Sequence, residues 1–133
     1  MYEAPKEILQ SGVIAVRRKR GRVEVALVTS SSGTHWVIPK GHWERNLSME
    51  DSAAKEAYEE AGLVGTIGPP IGTYFYSKRG YRYKVFVFSL EVTRELRQWP
   101  EADLRQRAWL TPAEAAERVN RPGLRKLLLE LEP

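Results

Sequence analysis

The segment from Ser48 to Gly62 carries the start and end signals of one helix, which limits how the rest of the chain can fold. Ser48 can cap the first turn, and Asp51 three residues later completes a start that resembles a capping box. Gly62 stands where a glycine commonly ends a helix. Its alanines leave a thin surface able to pack closely on a sheet: Ala53, Ala54, Ala57 and Ala61. The sequence therefore predicts a helix over residues 49–61 that lies against a β-sheet.

Strand patterns flank this helix on both sides. Apolar runs at 11–17 and 23–29 predict two strands. The basic turn between them contains Gly21, which can take a left-handed conformation, so the pair is predicted to form a β-hairpin. A short run at 35–38 stops at a proline, as a strand does. The further predictions are strands at 73–77, 83–92 and 106–110, and a loop of glycines and prolines from Gly65 to Gly72.

Two more helices are predicted near the end of the chain. Thr111 followed by a proline and then Glu114 is a strong helix start, and that helix is expected to reach about Val119. A last helix begins at Arg121-Pro122. Its leucines have helical spacing and form a core stripe: Leu124, Leu127, Leu128 and Leu131. The order of elements predicts a mixed α/β sandwich, in the α/β (α+β) class, with a sheet between helices.

Composition excludes several classes of protein and of site. With 133 residues, the chain is expected to form a single domain over residues 1–133. The absence of cysteine excludes disulfides, thiolate zinc sites and cysteine nucleophiles. No apolar stretch approaches the ~20 residues that span a bilayer, and the first residues do not resemble a signal peptide. We therefore expect a soluble, cytoplasmic protein with no membrane partner.

Charge is distributed in patches rather than evenly. The formal net charge is +4, with one basic run from Arg17 to Arg22 and a second from Lys78 to Lys84. An acidic cluster lies between Glu50 and Glu60, opposed within the segment by Lys55 alone. Two basic patches with one acidic cluster indicate a polyanionic ligand and a divalent cation. The alternative is solvated surface charge.

Three glutamates of the predicted helix form the candidate catalytic group. Glu56 and Glu60 are four residues apart and share one helix face, with Glu59 beside them. They repel one another unless a cation bridges them, and no neighbouring base is strong enough to neutralise the set. Hard oxygen ligands of this kind suit Mg²⁺ or Mn²⁺ rather than zinc. The alternative is an exposed acidic helix face.

The segment from Gly41 to Leu63 resembles the Nudix box, the signature of hydrolases that act on nucleoside diphosphates linked to another moiety. The residues that match the box at its spacing are Gly41, Glu56, Ala57, Glu59, Glu60, Gly62 and Leu63. Two positions depart, because the family has glutamate where this chain has Leu47 and arginine where it has Lys55. In the family that pair is thought to support the loop–helix geometry, so we expect weaker reinforcement rather than a dead site. Glu44 either compensates as an extra acid or is a solvent-facing loop residue.

The resemblance implies the Nudix fold, a mixed sheet between helices with a loop–helix–loop motif that presents its acids to metal. It implies Mg²⁺, or Mn²⁺, as the cofactor, with Glu56 and Glu60 as principal metal ligands. Glu59 would be a further ligand, directly or through water. The main-chain carbonyl of Lys40 or Gly41 would add one oxygen. Glu56 is the first candidate for the base that activates water, and Glu59 the second.

Short segments outside the box resemble the branch of diphosphoinositol polyphosphate phosphohydrolases, which includes enzymes that cleave diadenosine polyphosphates. These segments are Ser30 to Ser32, Trp36 to Gly41, Gly65 to Gly68, Tyr83 to Phe88, Trp99 to Glu101, and Trp109. The resemblance covers roughly residues 11–118 and implies a small, highly phosphorylated substrate. We expect its phosphates to be bound by serine and basic side chains: Ser30, Ser31, Lys40, Lys78, Arg79, Arg82, and one of Arg17 and Arg18, which alternate on a strand. For each, an ordinary solvated surface residue is the alternative.

Three functions remain open on the sequence. The first is an Mg²⁺-dependent hydrolase that cleaves a pyrophosphate linkage in a diphosphoinositol polyphosphate or a diadenosine polyphosphate. The second is a Nudix-like module that binds such a ligand without turnover. The third is hydrolysis at the 5′ end of RNA, the one nucleic-acid partner considered. The sequence does not separate the substrate classes and does not show the oligomeric state.

Overall fold

A mixed β-sheet organises the fold of residues 6–131, the part of the chain that the computed structural model describes. The ends of the predicted domain, residues 1–5 and 132–133, lie outside it. In chain order the elements are β1 (Glu7–Lys19), β2 (Arg22–Thr29), β3 (Trp36–Val37), β4 (Lys40–His42), α1 (Met49–Ala61), β5 (Leu63–Lys78), β6 (Tyr81–Glu95), β7 (Arg107–Leu110), α2 (Pro112–Arg118) and α3 (Pro122–Leu129). No helix in this range is long and apolar enough to cross a membrane.

The strands are ordered β3-β2-β1-β6-β5, while β4 pairs with β1 and β7 pairs with β2. β1 and β6 run parallel from the Glu7–Arg82 pair to the Val16–Glu91 pair, and the other pairings are antiparallel. This confirms the predicted mixed sheet. β4 is the one strand that the sequence did not predict, because a three-residue strand carries no periodic signal.

The two hairpins are closed by two-residue turns. Lys19 pairs with Arg22, so Arg20 and Gly21 form the first turn, with φ of 54° and 78°. Positive φ at both positions matches the twist of the flanking strands and explains the glycine. The predicted β1–β2 hairpin is therefore confirmed, with β1 longer at both ends than its apolar run and β2 one residue longer at its start.

The predicted loop from Gly65 to Gly72 was wrong. β5 continues through this segment, and its register with β6 shifts between Val64 and Gly65 and on both sides of Pro70. β5 is an edge strand, where the missing N–H groups of prolines are tolerated and bulges absorb the irregular residues. Glycine and proline therefore mark bulges here rather than a break.

Helices cover both faces of the sheet and bury two cores. The fully buried alanines Ala53, Ala57 and Ala61 of α1 pack on one face, as the helix surface predicted. On the other face, the leucine stripe of α3 packs with α2 against strand residues such as Ile14 and Val87. The sandwich and its three helices are confirmed.

Local signals fixed the helix ends. The Ser48 hydroxyl accepts a hydrogen bond from the Asp51 N–H at 3.0 Å, and Gly62 has φ of 65°. α2 begins with a complete capping box between Thr111 and Glu114. The bounds of α1 therefore agree with the prediction, and its acidic end stands at a defined place beside β4.

Candidate active site

The C-terminal half of α1 meets the β3–β4 segment at one end of the sheet. The main-chain N–H of Lys40 donates to Glu60 Oε1 at 3.2 Å. A Cβ atom on Gly41 would overlap the carboxylate of Glu56, so this position needs glycine for close approach. Sequence positions that are 15 to 20 residues apart are thus brought into contact, with the two principal glutamates against the Lys40–Gly41 backbone.

Glu60 is buried and paired. Glu60 is 7% exposed, and its Oε2 lies 3.2 Å from Arg105 Nη2. Burial raises the pKa of Glu60 to about 7, although the Arg105 guanidinium and the Lys40 N–H act in the opposite direction. The expectation that no strong base neutralises the acidic set was wrong. The partner comes from a segment 45 residues further along the chain, which the local sequence could not indicate.

Arg105 joins three parts of the molecule. Its Nε donates to Glu101 Oε1 at 2.8 Å, and its Nη1 donates to the main-chain oxygen of Thr29 at 2.8 Å. The guanidinium therefore ties α1 to the end of β2. Its only sequence signal is the Glu101–Arg105 spacing of four residues, which is common on protein surfaces.

Glu56 is half-buried beside this pair. Burial and the negative charges of Glu60 and Glu59 raise the pKa of Glu56 to about 7. Ionising two close carboxylates together costs free energy, and a bound cation lowers this cost. The structure therefore gives a physical reason for cation binding at Glu56 and Glu60.

Glu59 points to a different neighbour. Its Oε1 lies 3.7 Å from Lys55 Nζ, and Lys55 also pairs with Glu44. Among residues 6–131, no three acidic, histidine or cysteine side chains converge as a ready-made metal site. Mg²⁺ commonly binds through one or two protein carboxylates together with water and substrate phosphates, so Glu56 and Glu60 fit its donor set. The role of Glu59 as a ligand stays a prediction.

A small pocket opens directly beside Glu60. Its volume is about 120 Å³, below the ~300 Å³ at which pockets for whole small molecules begin. The residues that line it are Ser30, Ser31, Ser32, His35, Val37, Lys40, Glu60, Tyr76, Lys78, Arg105, Asn120 and Arg121. Four of these side chains are cationic, and the serines offer hydroxyl donors. The pocket suits a phosphate group rather than a nucleoside.

Aromatic and polar contacts hold the cations of this pocket in place. Lys40 Nζ lies 5.3 Å from the centre of the Tyr76 ring, and Arg121 Cζ lies 4.4 Å from it. Burial lowers the pKa of Lys40, so its ammonium is poorly solvated and gains from an anionic ligand. Arg121 precedes α3 and was missed by sequence reasoning, because its neighbours form an ordinary helix start.

The predicted binding residues divide into two groups. Ser30, Ser31, Lys40 and Lys78 line the pocket. Arg79 lies exposed at the β5–β6 turn with φ of 53°. Arg82 pairs in register with Ser77, so it points to the opposite sheet face from Lys78, and its guanidinium lies 4.2 Å from the centre of the Phe75 ring.

Arg17 and Arg18 lie away from the pocket. Arg17 forms ion pairs at 2.9 Å with Glu24 and Glu95 and stacks 4.0 Å from the Trp109 ring centre. Arg18 is exposed near the β1–β2 turn and lines a separate depression. The structure does not bring either of them to the pocket beside Glu60.

A family profile described as the NUDIX domain matches residues 8–131. This chain belongs to the Nudix family. Over 116 residues the Nudix chain is 34% identical to Nudix hydrolase 16, mitochondrial, of Arabidopsis thaliana, covering 81% of this chain and 64% of that protein. It is 35% identical over 89 residues to diphosphoinositol polyphosphate phosphohydrolase 3-alpha of Mus musculus, covering 65% and 54%.

A solved Ap4A hydrolase of C. elegans, in a binary complex, has a similar fold. Its TM-score is 0.74 with 23% identity, over 92% of this chain and 93% of that one. At this identity the likeness shows the fold alone. The Nudix chain spans between 47% and 64% of the length of the curated relatives that it matches. The resemblance to the Nudix box, and to relatives of the diphosphoinositol polyphosphate branch, is thereby confirmed.

Proposed function

We propose that the Nudix chain hydrolyses a pyrophosphate linkage in a small, highly phosphorylated molecule. The observation that carries this proposal is that Glu60, one helix turn from Glu56, lines a phosphate-sized pocket with four cations, and that the pKa of both glutamates is raised. An acidic pair by itself occurs on many protein surfaces and does not indicate a function. A cationic pocket beside the acidic pair supplies positive charge that binds a phosphate and that stabilises the phosphate oxygens during the reaction.

The proposed chemistry divides between the two parts of the site. Glu56 accepts a proton from the attacking water as the general base, and Glu59 is the second candidate. Water attacks phosphorus and the bond from phosphorus to the bridging oxygen breaks. Lys40, Arg105 and Arg121 hold phosphate oxygens and stabilise the charge that grows on the leaving group.

Glu56, Glu60 and a main-chain carbonyl of Lys40 or Gly41 would hold a divalent cation, which neutralises phosphate oxygens and lowers the pKa of water when bound. Nudix hydrolases generally need such a cation. We propose Mg²⁺, with Mn²⁺ as a substitute, because the donors are oxygen atoms.

We propose a diphosphoinositol polyphosphate or a diadenosine polyphosphate as the substrate. The mouse relative is named for the first class and the C. elegans neighbour for the second. A pocket of about 120 Å³ takes one phosphate group, so the rest of the molecule lies outside, where the exposed Lys78 of the pocket lining and the β5–β6 turn are nearest to it. A cytoplasmic location stays a prediction, because plant relatives are named mitochondrial.

The test is a panel of phosphate-release assays with Mg²⁺, comparing diphosphoinositol polyphosphates, diadenosine polyphosphates and 5′-triphosphorylated RNA by kcat/KM. Glu60→Gln should remove turnover, whereas Glu50→Gln, an exposed acid on the same helix, serves as the matched control. Mg²⁺ should also raise the Tm of the substrate-free protein by mass action, and Glu60→Gln should reduce that rise. A Glu60→Gln enzyme with nearly full activity would show that the ligand assignment is wrong.

Two observations favour a second function. Arg105 already pairs with Glu60, and no three acids converge within residues 6–131, as expected of a module that binds a phosphorylated ligand without turnover. Binding of inositol pyrophosphate measured by calorimetry, with no phosphate release on any panel substrate, would establish this alternative.

A further inference from the structure

Lys55, one of the two departures from the Nudix box, pairs with an acid outside the box pattern in the folded chain. Lys55 Nζ forms hydrogen bonds to both carboxylate oxygens of Glu44, at 2.9 Å and 2.7 Å. Glu44 is three residues from Gly41, and Lys55 is next to Glu56. The ion pair therefore joins the β4–α1 loop to α1, next to the Gly41–Glu56 contact between β4 and α1.

We propose that the Glu44–Lys55 ion pair positions the Glu56 carboxylate against Gly41, and that both partners act as positioning residues for the proposed hydrolysis. The inference rests on the proposed function. The sequence left Glu44 either as an extra acid or as a solvent-facing loop residue, since Leu47 occupies the box position of the acid. The inference gives Glu44 a positioning role.

Glu44 lies where the β4–α1 loop contacts both β1 and α1. The preceding residue, Trp43, is fixed to β1 because its N–H donates to the main-chain oxygen of Leu9 at 3.1 Å. The Glu44 N–H contacts the buried Ser52 hydroxyl of α1 at 3.4 Å. Since the loop is anchored to β1 on one side, a link from Glu44 to Lys55 sets the distance between β4 and the helix.

The pair has a second effect on the acidic group. Lys55 Nζ lies 3.7 Å from Glu59 Oε1, so one ammonium holds Glu59 while it holds Glu44. Without Lys55, the Glu59 carboxylate is free to turn and two loop contacts are lost together. The side chains of the pair are 43% and 38% exposed, so its contribution to folding stability is small. A positioning role thus predicts a loss of turnover without a matching loss of stability.

The experiment compares Glu44→Gln, Lys55→Met and the double variant, with saturating Mg²⁺ and the best substrate of the panel. Each single change should lower kcat about tenfold with little change in KM or Tm, as loss of a supporting contact does. The double variant should lose no more than either single, because both remove one interaction. Lys55→Arg, which keeps the charge and the donors, should retain activity.

A readout without turnover accompanies these kinetics. The amide resonance of Gly41 in metal-free protein should shift in Glu44→Gln and in Lys55→Met. Glu95→Gln is the matched control, because its carboxylate is also 38% exposed in an ion pair, on the Arg17 side of the sheet, and should move neither kcat nor that resonance.

Two results would overturn the positioning role. The first is losses that multiply in the double variant, and the second is an unmoved Gly41 amide. If the unmodified chain turns over no substrate, the proposed function fails, while the Gly41 resonance still decides whether the pair sets the Gly41–Glu56 contact.

Discussion

The β1–β2 and β5–β6 hairpins turn on the same dipeptide, Arg20-Gly21 in one and Arg79-Gly80 in the other. All four residues have positive φ, as two-residue turns of this type require. Basic side chains flank both turns, so the sequence predicts anion binding equally for each of them. In the structure, Lys78 beside the second turn lines the phosphate-sized pocket, whereas Arg17 beside the first is held by two glutamates.

Position on the sheet explains the difference. β1 meets β4 at the Gly12–Lys40 pair, beside the candidate glutamates Glu56 and Glu60. Arg17 lies five residues further along the same strand, which is about 16 Å at the usual rise. Lys78, by contrast, ends β5 on the face that carries Tyr76, next to Lys40. A basic run therefore shows where charge is concentrated along the chain, and the strand pairing decides which run faces the acids.

The largest effect should come from the acids that define the site end of the sheet. Glu56→Gln keeps size and removes charge, so kcat should fall by about 10²–10⁴-fold, the usual contribution of a general base. Circular dichroism should show that the fold survives. If a Glu56→Gln enzyme retains most of its kcat, Glu56 does not mark the catalytic end of the sheet, and the two turns cannot be compared by their distance from it.

Lys78→Ala should raise KM about tenfold, the equivalent of ~1.4 kcal/mol, as expected for a lost charge-assisted hydrogen bond to phosphate. The rise should exceed the fall in kcat, because a phosphate remote from the cleaved bond is held equally in ground and transition states. Arg18→Ala is the matched control on the first basic run. Equal changes in the two variants would contradict the distinction between the turns.

Arg79→Ala and Arg82→Ala should raise KM by no more than about fivefold, the range for exposed charges. Both lie outside the pocket lining, so they can reach only the part of the substrate that protrudes. Steady-state kinetics on substrates with graded phosphate number measures this. The effect should grow with phosphate number and weaken with added salt, and a flat series would show that the turn does not select polyphosphates.

The smallest change in activity is expected for Arg17→Met. Its loss leaves Glu24 and Glu95 without this partner, so the free energy of unfolding should fall by about 1 kcal/mol. Urea unfolding at low and high salt checks the stability, and kcat/KM should stay within error. A raised KM with unchanged stability would mean that the first basic run does contact substrate.

Several features of the fold and the site were predictable because their signals are local. The Ser48 cap and Gly62 set the ends of α1, and the Nudix box placed Glu56 and Glu60 on one helix face. The prediction of a loop from Gly65 to Gly72 was wrong because glycine and proline occur both in loops and in bulged edge strands. The site residues Arg105 and Arg121 could not be found, since neither lies in a motif.

The sequence by itself determined the ends of α1, the β1–β2 turn and the spacing of the acids, because each depends on residues that are close together along the chain. The tertiary structure alone decided which charges meet. The pairing of Glu60 with Arg105 crosses 45 residues and that of Arg17 with Glu95 crosses 78. Such contacts depend on strand order and register, and electrostatic energy depends on distance in space rather than on separation along the chain.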